Sequence, residues 1–237
     1  MTNTGKTPRL RYDEGCLGAH ALNFIGDRWA LLVVRELMFQ PKRFQMIRAG
    51  MPGITASVLT QRLGQLVEFG IVAHDEVLGI YALTDLGRAL HPMLRELCRW
   101  ALLLPDHDPT RHISISALMI SISATVDAAR AAGSGLTAGI VSGVEQFRVT
   151  FDASGAPQVV AMREAAGDFV LRGSGNDLAF AIYGPGPLAM AGAGRVGLSG
   201  DRDAAQRFCG LFSLKAQTRS KSESPEVSVQ APGLSST

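Results

Sequence analysis

Leucines at positions 59, 63 and 66 recur at the spacing of one helix face, and Ser57, Thr60, Gln61, Gly64 and Gln65 give the opposite face a small, polar, uncharged surface. A helix of this kind needs a core on one side only. Its limits are marked in the chain: Met51-Pro52-Gly53 is a turn by its Pro-Gly pair, Thr55 stands at an N-cap, and Gly70 closes the helix. Two strand-like runs follow at once, Ile71-Val72-Ala73-His74 and Ile80-Tyr81-Ala82-Leu83, joined through Gly79 as a β-hairpin.

Upstream, Leu17, Ala21, Phe24 and Ile25 share a helix face, and Gly26 is expected to stop that helix in the left-handed conformation. Asp27 is placed to cap a second helix, Arg28 to Phe39, whose nearly all-round apolar surface marks it as central to a core and which Pro41 ends. A short third helix is predicted from about Phe44 to Ala49. Downstream, Thr84 and Asp85 open a helix in which Leu86, Leu90, Leu94, Leu97, Ala101 and Leu104 recur three or four apart until Pro105. Pro92 predicts a kink, because an interior proline costs ~3 kcal/mol in a straight helix. Helix, helix, short helix, polar-faced helix, hairpin and long helix is the order of a winged helix-turn-helix, in which the polar-faced helix enters a DNA groove.

Charge supports that reading. Between Leu37 and Val67 stand Lys42, Arg43, Arg48 and Arg62 but no Asp or Glu. A surface lying against one phosphate charge per ~1.7 Å of duplex would be repelled by carboxylates placed there. A net charge of +2 excludes a bulk polycation. Residues 1–104 hold 12 basic and 9 acidic groups (+3), and residues 105–214 hold 8 and 10 (−2), so the basic excess belongs to the first part. Ser57, Thr60 and Gln61 are the candidates for reading base edges in a major groove ~12 Å wide. Lys42, Arg43, Arg48, Thr55 and Arg62 are the candidates for phosphate contacts.

The motifs GDRWALLVVREL, PKRFQMIRAGMPGITASVLTQRLGQLVEFGIV, YALTDLGRAL and LCRW resemble those of the HxlR-type winged-helix transcriptional regulators, over residues 15–104. The resemblance implies a homodimer built from the first and last helices of this domain, bound to an inverted-repeat operator in double-stranded DNA as repressor or activator. Leu90, Met93, Leu94, Leu97, Trp100 and Leu104 are the expected dimer contacts. Two departures stand out. The hairpin tip reads DEVLG, acidic at Asp75 and Glu76 where the family usually carries proline and basic residues, which argues against minor-groove contact by the wing. Cys16 is followed by Leu17 rather than the family's proline, although some members sense oxidants through that cysteine.

Residues 105–112, with PDHDP, read as a linker, and a second domain is expected over 113–214. Ile113 to Val126 mixes strand and helix periodicities, and its length favours a helix. Strands are expected at Gly139–Val144, Phe147–Phe151, Gln158–Met162 and Gly194–Leu198, with a hairpin turn at Ser154-Gly155. Ser199-Gly200-Asp201 then caps a closing helix from Arg202 to Leu214. GDFVLRGSGNDLAFAIYGPGPLAMAGAGRVGLSGDRDAAQRFCGLFSL resembles the sterol-carrier-protein-like domain. That likeness implies a sheet covered by helices around an apolar cavity for a hydrophobic small-molecule effector, with Phe147, Phe151, Phe180, Phe208 and Phe212 as candidate linings. The chain is thus expected to be α+β, with residues 1–14 a flexible arm and 215–237 a Ser- and Pro-rich disordered tail.

Three cysteines at long spacing, without CxxC, argue against a disulfide framework or zinc ribbon and for a reducing compartment. The five histidines show no metal-ligand spacing, and no metal or cofactor is expected. No Ser-His-Asp or Cys-His set and no phosphate loop is present, so an enzyme is not expected. The polar start and the absence of a long apolar run point to a cytoplasmic protein without a membrane span. The alternatives are a lipid-binding or carrier protein and a redox-responsive regulator acting through Cys16.

Overall fold

The apolar segment after Asp27 becomes the buried centre of the first half. In the computed structural model, which describes residues 11–184 and 195–215, this half runs α1 (Leu17–Ile25), α2 (Ala30–Leu37), β1 (Lys42–Arg43), α3 (Phe44–Ala49), α4 (Ala56–Glu68), β2 (Val72–Asp75), β3 (Ile80–Leu83), α5 (Asp85–Arg88) and α6 (His91–Ala101). Ala30, Val33, Val34 and Leu37 of α2 pack against Ile47 of α3, Leu59, Leu63 and Leu66 of α4, and Leu94 of α6. The three short strands form one antiparallel sheet in the order β1-β3-β2, so the hairpin is anchored by the strand that precedes α3. This is a winged helix-turn-helix arrangement.

Two local expectations are corrected. Gly26 ends α1 at φ −71°, in the right-handed region, and what excludes a side chain there is space: a Cβ would strike the carbonyl oxygen of Leu22. Pro92 does not kink a continuous helix. The chain breaks after α5, and Pro92 falls in the first turn of α6, where its missing N–H would have had no helical partner anyway. Leu86, counted with the leucine row, is exposed on α5.

The second half begins with α7 (Ile115–Thr125), whose N-terminus is set by Ser114 Oγ accepting from Ala117 N at 3.1 Å. It continues through α8 (Ala128–Ala131), β4 (Ala138–Ser142), β5 (Glu145–Phe151), β6 (Pro157–Ala161), β7 (Phe169–Arg172), α9 (Gly175–Tyr183), β8 (Gly197–Gly200) and α10 (Arg202–Cys209). The ambiguous periodicity of α7 has a physical cause. Ile120 packs into the winged-helix core while Leu118, Met119 and Ile122 pack into the second core, so apolar residues are needed all round.

The five strands lie in the order β6-β5-β4-β7-β8, with β4 and β7 parallel and the other pairs antiparallel. Alternation sends Ile140, Phe147, Val149, Phe169 and Leu171 to the side covered by α7, α9 and α10. β7 and α9 were not anticipated from sequence; Ser174 caps α9 by accepting from Asp177 N. The closing helix stops at Cys209, and Phe212 instead bridges to Val126 in extended backbone. Most of the expected arm and tail, and residues 185–194, lie outside the described residues.

The halves meet through a buried polar cluster. Glu36 Oε1 accepts from Arg35 Nη2 at 2.9 Å and from Ser114 Oγ at 2.5 Å. Lys42 Nζ lies 3.3 Å from Glu36 Oε2, 2.6 Å from Glu145 Oε1 and 3.0 Å from Ser116 Oγ. Gly50 is held against this cluster, where a Cβ would collide with the Glu36 carboxylate. Alongside it, Phe39 stacks edge-on to Phe147 at 5.9 Å and packs into both cores.

Candidate nucleic-acid interface

Thr55 fixes where α4 begins: its Oγ1 accepts from Val58 N at 3.3 Å, after a turn in which Gly53 takes φ +90°. With the start fixed, Leu59, Leu63 and Leu66 face the core. Ser57, Thr60, Gln61 and Gly64 are all exposed, and helical spacing puts them on one face. The hydroxyls of Thr55 and Ser57 lie 3.2 Å apart. No carboxylate stands on α4 before Glu68 in its last turn.

The four expected phosphate-contacting cations divide. Arg43 is exposed at the N-cap of α3 and opposite Ile80 of β3, which ties it to the wing. Arg48, also exposed, borders a recess shared with Gln45, Pro52 and Gly53 beside the turn into α4. Arg62 is half-buried and already compensated: Nη2 is 2.6 Å from Asp27 Oδ2, and Nη1 donates to Gln65 Oε1.

Lys42 is the clear correction. It is 1% exposed, with its ammonium enclosed by Glu36, Glu145 and Ser116, so no phosphate reaches it in this fold. One of those partners stands 74 residues further along the chain, which is why local composition gave no sign of it.

The wing is short. His74 stacks on Tyr81 with ring centroids 4.1 Å apart, Asp75 Oδ1 accepts from Leu78 N, and Asp75 and Glu76 are exposed at the tip. On α6 and just past its end, Met93, Leu97, Trp100 and Leu104 form an exposed apolar stripe, Trp100 at 56%. Leu94, at 4%, and half-buried Leu90 turn into the protomer's own core, which removes Leu94 from the expected dimer contacts.

The aromatic residues expected to line an effector cavity mostly fill a core. Phe147 and Phe208 have no accessible surface. Phe208 touches Phe151, Phe169 and Phe212 at centroid distances of 6.0, 5.5 and 5.0 Å, whereas Phe180 lies on the surface. Of the three free thiols, Cys16 is exposed before α1, burial raises Cys98, and burial pushes Cys209 up to about 12. Among the described residues no cluster of three or more His, Cys, Asp or Glu could hold a metal ion, and no helix is long and apolar enough to cross a membrane.

A family model, HxlR-like helix-turn-helix, matches residues 24–108. The HTH-type transcriptional regulator YvaP of Bacillus subtilis is 36% identical over 86 residues, which are 34% of this chain and 80% of YvaP. The chain belongs to the HxlR-like helix-turn-helix family. YodB, an HTH-type transcriptional regulator of the same organism, is 36% identical over 86 residues, 34% of this chain and 77% of YodB. The crystal structure of quinone-bound YodB covers 36% of this chain and 96% of that one, with 38% identity and a TM-score of 0.34. All these likenesses to HxlR-like proteins fall in the winged-helix half.

Proposed function

We propose that this HxlR-like chain is a sequence-specific transcriptional regulator, acting in the cytoplasm as a homodimer on an inverted-repeat operator, with α4 in the major groove. The observation that carries this reading is the exposed, uncharged polar face of α4. Ser57, Thr60 and Gln61 offer hydroxyls and an amide to base edges, while Arg43 and Arg48 hold phosphates and fix the register. Operator selection from random duplexes with salt titration tests it. The expected result is an inverted repeat with half-sites one helical turn apart, about 10 bp, and an affinity that falls steeply with salt. Recovery of no common sequence would overturn the reading.

The exposed stripe on α6 supports the dimer. A charge at its centre would have to be desolvated on association, so Trp100→Glu is expected to weaken the dimer by about 30-fold or more, an effect of ~2 kcal/mol. Sedimentation at micromolar concentration reads this directly. An unchanged dimer would move the interface elsewhere.

A hydrophobic small molecule held by the second half would modulate operator binding by favouring one dimer geometry over another. A five-stranded sheet with helices over one face supports the likeness to sterol-carrier-like domains. A redox-responsive regulator is the second reading, favoured by the exposure of Cys16. In that case diamide would change operator affinity in the native chain and leave Cys16→Ser unaffected.

A further inference from the structure

Between the two halves runs a groove of about 780 Å³, within the ~300–1,000 Å³ range of small-molecule sites. Trp29 and Leu32 come from the winged-helix side, Leu97 and Cys98 from α6, Ala117 and Ile120 from α7, and Tyr183 from α9. The floor is therefore mostly carbon, with the Cys98 thiol and the hydroxyls of Ser114, Ser121 and Tyr183 as its neutral polar points, the last 3.0 Å from Thr125 Oγ1. This space is separate from the Phe147–Phe208 core, where the sequence had placed an effector.

The rim decides the class of guest. Arg111 pairs with Asp108 at 3.2 Å, and Arg35 is held by Glu36 and by the carbonyl of Gly50. Arg28 has no carboxylate partner among the described residues, and its guanidinium is positioned over the Trp29 ring, 5.0 Å from the centroid. His107, His112 and Asp106 also line the groove. We propose that this groove binds an aromatic or aliphatic organic acid, its apolar body against Trp29, Leu32 and Ile120 and its anionic group at Arg28.

The groove reaches the reading helix. Gly50, Met51 and Pro52 form part of its wall, and this turn leads directly to the Thr55 cap of α4. Occupancy would couple the second half to α4 through that turn. This regulatory step rests on the DNA-binding reading above, whereas binding itself does not.

Two fluorescent probes test the site on the full chain: 1-anilinonaphthalene-8-sulfonate, an aromatic anion, and the uncharged N-phenyl-1-naphthylamine. One anionic probe per chain is expected to bind. Ala117→Trp, which fills the groove, should weaken both probes at least about 10-fold. Arg28→Gln should weaken only the anion, by roughly 3- to 5-fold as for a solvent-open ion pair, and Asp106→Asn should strengthen it. Thermal unfolding establishes that each variant is folded. Should Ala117→Trp prove unstable, the opposite signs of the two rim variants still decide.

Equal anion binding by native chain and both rim variants would overturn the proposal. So would an Ala117→Trp variant that binds the probes normally but changes oligomeric state, because the groove would then be a protein contact. Gel shifts on the selected operator keep the readings apart. Probe binding without operator binding sinks the regulator and leaves the groove; operator binding without probe binding does the reverse.

Discussion

Replacing both Arg43 and Arg48 by glutamate is expected to reduce operator affinity by about 10³-fold while leaving thermal stability unchanged. Both side chains are exposed and neither forms an ion pair among the described residues, so the fold loses little. A dimer would lose four phosphate contacts, and at ~1 kcal/mol for each exposed charge pair the sum is about 4 kcal/mol, a factor of about 10³. The logarithmic salt slope should also become shallower by roughly 3.6, from about 0.9 per contact. Base selectivity should persist at low salt, because Ser57, Thr60 and Gln61 are untouched. A folded double variant that holds its operator as tightly as the native chain, with an unchanged salt slope, would remove α3 from the interface.

The elements legible in the sequence are those fixed by short-range chemistry. α4 starts and stops where Thr55 and Gly70 place it, because a cap, a Pro-Gly turn and a glycine at φ +68° act within a few residues. α7 was recognised by length, although its two-sided packing blurred the period. What escaped depends on distant partners. β7 pairs in parallel with β4 across an intervening hairpin, and no local pattern announces that crossover. The requirement for glycine at position 26 is steric rather than conformational, set by the Leu22 carbonyl. At the candidate interface, the exposed face of α4 follows from spacing alone, but the division of the cations does not. Arg43, Arg48, Arg62 and Lys42 are equivalent as composition, and only the positions of Asp27, Glu36 and Glu145 separate them.

Lys42 is the sharpest case of that division, and Lys42→Ala is expected to destabilise the chain by about 3–5 kcal/mol. The attraction of the buried ammonium to Glu36 and Glu145 offsets a large desolvation cost, and its removal would leave two carboxylates near each other without it. Arg35 and Ser114 would still hold Glu36, and Gln40 Nε2 would still donate to Glu145 at 2.7 Å, which keeps the cost in this range. At this chain length ~1 kcal/mol moves the melting temperature by ~2–4 °C, so a fall of about 10 °C is expected. Lys42→Met combined with Glu145→Gln should recover much of the loss, since Glu36 keeps its Arg35 partner and no charge is stranded. In surviving folded protein the operator salt slope should match that of the native chain, because no phosphate contact has been lost. The opposite pattern, an unchanged melting temperature with a slope shallower by about two for the dimer, would return Lys42 to the DNA surface and mean that the two halves do not meet through this cluster in solution.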